Sequence, residues 1–292
     1  MKTGLIMEGG SMRGMFTAGV TDVFMENNIS FDGAVGVSAG AGFGCNYKSG
    51  QPGRAIRYSK RFCKDKRYAG LSSWIKTGNL YNVDFVYTQV PRKYDIFDEK
   101  AYRENPMEFY VVCTDIETGM PVYHKCEKGD DEDINWMRAS ASLPMLSKIV
   151  EIDGLKLSDG GTADSIPLRF FEKIGYDRNV VILTQPNGFV KEKNSLLPLL
   201  RITQRKYPEF IKALENRHNM YNETLEYIYK EESENKIIVL RPEAPLDISG
   251  VVHDENELER VYRHGRIVGE KALARVKEFL TEGRQSEYEQ NP

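Results

Sequence analysis

Two short apolar runs, each followed by a glycine-bearing turn that opens a helix, occupy the first 46 residues and leave few folds open. Thr3–Met7 reads as a strand, and Gly14–Glu26 as a helix with Phe16, Val20, Val23 and Phe24 on one face. Asn27-Asn28 stops that helix, Gly33–Val37 forms a second buried strand, and Ser38–Asn46 a small-residue helix. Strand, helix, strand, helix in this order builds a parallel sheet covered on both faces. Further strands are expected at Phe109–Thr114, with Pro121–Lys125 returning as its neighbour, and at Val180–Thr184 and Lys236–Leu240. Ile149–Leu157 alternates like a strand. Arg54–Lys66 and Ile134–Ala141 read as helices, and Tyr207–Glu231 and Glu255–Leu280 as two long amphipathic ones. The expected organisation is a single domain over residues 1–285 with a polar tail at 286–292. Its motifs fall within 3–185, and a helical part fills 186–285.

Charge and cysteine usage narrow the function classes. A formal net charge of −3 over 292 residues excludes charge-driven nucleic-acid binding. No apolar run approaches the ~20 residues of a membrane-spanning helix. Lys2 followed by Leu5-Ile6-Met7 ends at Glu8-Gly9-Gly10, short of the ~7–15 apolar residues of a signal segment. Cys45, Cys63, Cys113 and Cys126 have no paired ligand spacing, so reduced thiols, a cytoplasmic setting and no metal site are expected.

Three glycine-marked turns carry the chemistry. The first is Glu8-Gly9-Gly10-Ser11-Met12-Arg13-Gly14, a strand-to-helix turn whose N–H groups converge where negative charge is favoured. Ser11 stands where a dinucleotide fingerprint needs its middle glycine, and Met15 follows Gly14 where a phosphate loop needs Lys. The second, Gly36-Val37-Ser38-Ala39-Gly40, is a G-x-S-x-G nucleophile elbow between a strand and a helix. Only one strand–helix unit precedes it, too few for an α/β-hydrolase. The third is Ser158-Asp159-Gly160-Gly161, which projects a carboxylate from a turn that on its own is an ordinary Asp-Gly hairpin.

Taken in order, these turns resemble the patatin-like phospholipase family. Ala139-Ser140-Ala141-Ser142-Leu143-Pro144 and Asp164-Ser165-Ile166-Pro167 resemble its flanking segments, and the likeness covers roughly residues 3–185. The resemblance implies a three-layer α/β/α fold with a mostly parallel sheet, here with additional C-terminal helices. It implies a serine acyl-ester hydrolase of the phospholipase type with no cofactor, in which Ser38 is the nucleophile and Asp159 its base. The backbone N–H groups of Gly10, Ser11, Met12 and Arg13 would form the oxyanion hole. Gly9, Gly14, Gly36, Gly40, Gly160 and Gly161 would shape the turns. Ser11 replaces the family's third glycine, at a cost in backbone strain.

Three alternatives remain open on sequence. His253 and His264 follow in the order Ser…Asp…His and could supply a triad base. The fold could also serve a non-catalytic lipid- or acyl-binding protein. Ser195–Ile202, with Arg205 and Lys206, reads either as an apolar lid making peripheral membrane contact or as a helix packed on the core.

Overall fold

The computed structural model describes the backbone of residues 1–290 and side chains through 281, so the tail expected at 286–292 lies outside the fully described residues. The chain opens with β1 (Lys2–Met7), α1 (Gly14–Glu26), β2 (Gly33–Val37) and α2 (Ala39–Lys48). Then come α3 (Arg54–Phe62), α4 (Leu71–Thr77), a π-helical segment (Phe85–Tyr94) and α5 (Glu99–Glu104). Next are β3 (Glu108–Asp115), β4 (Pro121–Lys125), α6 (Asp131–Ser140), β5 (Val150–Ile152) and β6 (Leu155–Asp159). The chain continues through α7 (Leu168–Lys173), β7 (Tyr176–Ile182), α8 (Leu197–Thr203), α9 (Pro208–Ser233), β8 (Ile237–Leu240) and α10 (Glu255–Gln290).

Eight strands form one sheet in the order β5-β6-β3-β2-β1-β7-β8, with β4 also on β3. β1, β2, β3, β7 and β8 run parallel, and β4, β5 and β6 supply the antiparallel pairings. The fold is the expected three-layer α/β/α arrangement. Alternate residues of each strand face opposite helical layers. Leu5, Met7, Ala34, Val180 and Ile182 pack with Phe16 and Val20 of α1 and Val261 of α10. Ile6, Val35, Val37 and Val181 pack with Phe171 of α7 and Tyr221, Leu225 and Ile228 of α9. Burial on both faces is why these strands read as unbroken apolar runs.

β3 is the strand on which three others converge. β4 pairs with Tyr110–Thr114 along one edge. The opposite edge is shared in tandem: β2 pairs up to Val37↔Val112, and β6 arrives from the other direction at Asp159↔Cys113. Two strands therefore end head to head on consecutive β3 residues.

Sequence and structure differ in several places, among them the helix expected over Arg54–Lys66, which ends at Phe62. Ile149–Leu157 is a hairpin, because Asp153 and Gly154 take positive φ (52° and 79°) and reverse the chain. β7 starts at Tyr176, four residues before the apolar run, since its polar Asp177–Asn179 stretch pairs with the start of β1. The π-helical segment has no counterpart in the apolar pattern; it carries Pro91, which has no N–H to donate. All four cysteines are free and buried. Among the described residues no helix is long and apolar enough to cross a membrane.

Candidate active site

Ser38 sits between β2 and α2 with φ 54° and ψ −116°, a conformation costing on the order of 1–3 kcal/mol unless the surroundings hold it. The surroundings do hold it. Its N–H donates to Ser140 Oγ at 2.9 Å, and the Ser140 hydroxyl donates to the Val112 carbonyl at 2.6 Å. Gly40 lies against the Met7 carbonyl and Gly36 against the Gly40 carbonyl, so a Cβ at either position would collide with backbone. The elbow glycines are thus demanded by close packing of α2 on β1 and β2.

Asp159 ends β6. The Ser142 carbonyl accepts its N–H at 2.9 Å, and its own carbonyl accepts the Thr114 hydroxyl at 2.8 Å. Oδ1 accepts the Gly161 N–H at 2.8 Å, while Oδ2 is buried with no hydrogen-bond partner. The Ser38 hydroxyl is near enough to lower the carboxyl pKa, although the pair does not reach full hydrogen-bond geometry. Burial dominates and pushes Asp159 up, against smaller downward effects of Arg217, Ser38 and Gly161. The tandem ends of β2 and β6 produce this pairing, bringing residues 121 positions apart in sequence beside Val112 and Cys113.

The glycine-rich turn closes the third side. A Cβ on Gly9 would lie 3.0 Å from Ser38 Cβ, so the turn rides directly on Ser38. Ser11 takes φ 50°, in the left-handed region, which is the backbone strain expected of a serine in the place of a glycine. The N–H groups of Gly10 and Ser11 have no protein acceptor among the described residues, whereas the Arg13 N–H, expected to join them, is spent on the Gly10 carbonyl at 3.1 Å as the turn tightens into a 3-10 helix. The Arg13 guanidinium folds back over Gly10, and its Nε is buried without a partner.

Two cavities meet at Ser38 and Ser11. One, of about 150 Å³, is apolar; Met12, Tyr58, Tyr81, Tyr87, Val90, Met137 and Leu146 are among its walls. The other, of about 200 Å³, is polar and holds Gly9, Gly10, Arg13, Asp159 and Gly161 together with Glu8, Lys191, Arg217 and Tyr221. Of the residues singled out from the sequence, Gly14, Gly36, Gly40 and Gly160 line neither cavity and act as packing beneath the site. α8 lines neither cavity; Leu197 and Leu200 pack with Phe210 and Leu214, while Leu196, Leu199 and Ile202 are exposed. Residues 195–202 thus carry a helix packed on α9 with one apolar face left open.

Several site residues escaped sequence reasoning. Ser140 braces the elbow, and Ser142 receives both Asp159 N–H and the Ser158 hydroxyl at 2.9 Å each. Glu8 is buried, accepting from Tyr221 Oη at 2.7 Å and Thr184 N–H at 2.6 Å. Arg217 Nε donates to the Gly161 carbonyl at 2.6 Å. Ser140 and Ser142 lie within a segment that the family resemblance marks, but Lys191, Arg217 and Tyr221 sit in a stretch without local signature. No histidine lines either cavity. His253 instead pairs its Nδ1 with the Cys63 carbonyl, and His264 stands edge-on to Phe16. His124, Cys126 and Asp133 bring ligand-type atoms within 4.8 Å of one another, a grouping the sequence spacing did not suggest. Asp133 Oδ2 there accepts the N–H groups of Lys128 and Gly129, and the trio lines neither cavity at Ser38.

The profile of the patatin-like phospholipase family matches residues 5–171, which include all three glycine-marked turns. The chain belongs to that family. A second profile, described as a domain of unknown function (DUF6363), matches residues 207–281 of this patatin-like protein. It is 27% identical over 287 residues to the uncharacterized protein YjjU of Escherichia coli, covering 95% of this chain and 79% of that one. It is 28% identical over 185 residues to lysophospholipase nte1 of Aspergillus fumigatus, covering 60% of this chain and 11% of that one. An uncharacterized NTE family protein of Mycobacterium tuberculosis is 23% identical over 181 residues, of which the match spans 48%. VipD of Legionella pneumophila aligns in structure with a TM-score of 0.44 at 11% identity, over 94% of this chain and 67% of that one.

Proposed function

We propose that this patatin-like protein is a serine acyl-ester hydrolase acting on lipid esters through a Ser38–Asp159 dyad. The observation that carries this reading is the tandem ending of β2 and β6 on β3. It sets a strained, braced serine beside a buried carboxylate whose Oδ2 has no partner. Family membership and the similarity to a lysophospholipase support the substrate class.

In the proposed cycle Ser38 Oγ attacks the ester carbonyl carbon while its proton passes to Asp159 Oδ2. The carbonyl oxygen, now negative, is held by the N–H groups of Gly10 and Ser11, each worth on the order of 3 kcal/mol of barrier. Collapse breaks the bond to the leaving oxygen, which takes the proton from Asp159. Water then attacks the acyl-enzyme, gives its proton to Asp159, and releases the fatty acid as Ser38 is reprotonated. A carboxylate is a poor base toward an alcohol in water, and the burial that raises Asp159 narrows that gap. The absence of histidine from both cavities favours this dyad over a triad.

The acyl chain fits the apolar cavity, where each buried methylene contributes about 0.8 kcal/mol. A lipid surface would be met at its rim. There α4 exposes Leu71, Trp74 and Ile75, Trp74 Nε1 donates to the Met145 carbonyl at 3.0 Å, and Leu80 N–H to the cavity-lining Leu146 at 2.7 Å. An active-site fluorophosphonate is expected to label the protein and lose its target in Ser38→Ala, in parallel with loss of long-chain ester hydrolysis. No labelling of the folded wild type would leave a non-catalytic acyl-binding protein instead.

A further inference from the structure

The polar pocket beside Ser38 carries more positive charge than ester hydrolysis alone requires. Arg13, Lys191 and Arg217 face it, with the carboxyls of Glu8 and Asp159. None of the three cations forms a salt bridge among the described residues. Arg13 Nε is buried without a partner, Arg217 Nε is held by the Gly161 carbonyl, and Lys191 Nζ lies 4.5 Å from the Tyr221 ring centroid. Both Glu8 oxygens are already occupied, by Tyr221 and by the Thr184 amide. Three cationic side chains against two carboxyls leave the pocket net positive even with both acids ionised. Partly desolvated cations outnumbering the acids around them, none in direct ion-pair contact, are costly, and a bound anion offsets that cost.

We propose that this pocket selects acyl esters whose leaving alcohol carries a compact phosphate monoester, gripped by Arg13, Lys191 and Arg217. The inference rests on the hydrolase reading, since it takes Ser38 as the attacking group. The orientation of the substrate comes from the walls. Asp159, which returns a proton to the leaving oxygen, lines the polar pocket and not the apolar cavity, so the leaving group belongs on the cationic side. The products are a fatty acid and an intact phosphorylated alcohol. A phosphate monoester carries about −1.5 to −2 charge at pH 7 and offers three acceptor oxygens to guanidinium forks and an ammonium. A choline head would bring a quaternary ammonium, which seeks open aromatic faces. The ring lining this pocket, Tyr221, already has Lys191 over its face. Burial, with Arg217 and Arg13, pulls Lys191 down to about 8 against the opposing effect of Glu8, so it is mainly charged at pH 7.

The test compares three single-acyl substrates of equal chain length, kept below their micellar concentrations: an acylglycerol phosphate, the corresponding phosphocholine ester, and the neutral monoacylglycerol. We expect kcat/KM for the phosphate ester to exceed that for the neutral one at least 10-fold. In Lys191→Gln that ratio should fall by about 10-fold, with recovery in Lys191→Arg. In Ser38→Ala protein, glycerol 3-phosphate should bind measurably by calorimetry and lose affinity when Lys191→Gln is added. Equal or better turnover of the neutral or phosphocholine ester by protein whose Ser38 still labels would overturn the phosphate pocket and leave the hydrolase standing. Binding of glycerol 3-phosphate without Ser38 labelling would overturn the hydrolase and with it the leaving-group assignment. Thermal unfolding of each Lys191 variant separates lost recognition from lost fold.

Discussion

The first 185 residues and the remainder are built on opposite principles. In the first part the candidate site is spelled out locally: three turns, each rich in glycine, end three strands and meet at one point. In the second there is no comparable pattern, yet α9 and the chain before α8 deliver Arg217, Tyr221 and Lys191 to the same point. α10 completes one helical layer against α1. The contrast has a physical origin. A nucleophile elbow constrains backbone dihedrals and Cβ space, so only a few residues serve and the pattern is visible. Charge in a pocket can be supplied by any long cationic side chain from any element that arrives there, and it leaves no spacing to recognise.

The largest expected effect lies wholly in the first part. Ser38→Ala and Asp159→Asn should each lower ester turnover by at least about 10³-fold, with thermal unfolding little changed. If Asp159→Asn retained full activity, the base would have to come from elsewhere and the dyad would fail.

Next comes the seam between the two parts. Asp22 of α1 is buried, accepts from Tyr262 of α10 at 2.7 Å and from the Gly53 N–H at 2.8 Å, and burial lifts it to about 6. The folded state therefore holds its proton to higher pH than the unfolded chain does. That contribution is fully present below about pH 4 and is lost as pH rises through 6, at most about 3 kcal/mol in all. Denaturant titrations of wild type and Asp22→Asn across this window should show the slope in the former and its flattening in the latter. Equal slopes would mean that α10 docks on α1 without this contact.

Arg217→Gln probes how far the second part enters the chemistry. It removes the hold on the Gly161 carbonyl and a cation that lowers Asp159, so kcat should drop roughly 10- to 100-fold. The acid limb of the kcat profile should move to higher pH, because Asp159 without Arg217 ionises later. A loss of rate with an unmoved limb would make Arg217 a purely structural strut.

The smallest effect concerns Ser11. Replacing it by Gly relieves the left-handed strain at φ 50° while freeing the unfolded chain, and the two changes oppose each other. Stability should shift by less than about 1 kcal/mol and activity by less than about 3-fold. A large gain in rate would show that Ser11 distorts the oxyanion turn.

Much of the molecule is legible in the chain alone. α1, β2 and β4 run between the residues expected, because apolar periodicity and Asn or Gly stops coincide there. Less legible are segments whose structure depends on partners. The polar start of β7 becomes strand only by pairing with β1, and the π-helical Phe85–Tyr94 has no distinct pattern. Ser195–Ile202 shows apolar residues without saying which of them face α9.

By itself the sequence determined a parallel sheet covered on both faces and three glycine-marked turns in a fixed order along the chain. The reason is that backbone sterics and apolar period act over a few residues. Only the tertiary structure decided that β2 and β6 end in tandem on β3, which is what sets Ser38 beside Asp159. It alone placed Ser140 under the elbow, excluded the histidines from the cavities, and gathered Arg13, Lys191 and Arg217 around one pocket. Those are long-range juxtapositions fixed by strand register and helix packing, and no local pattern encodes them.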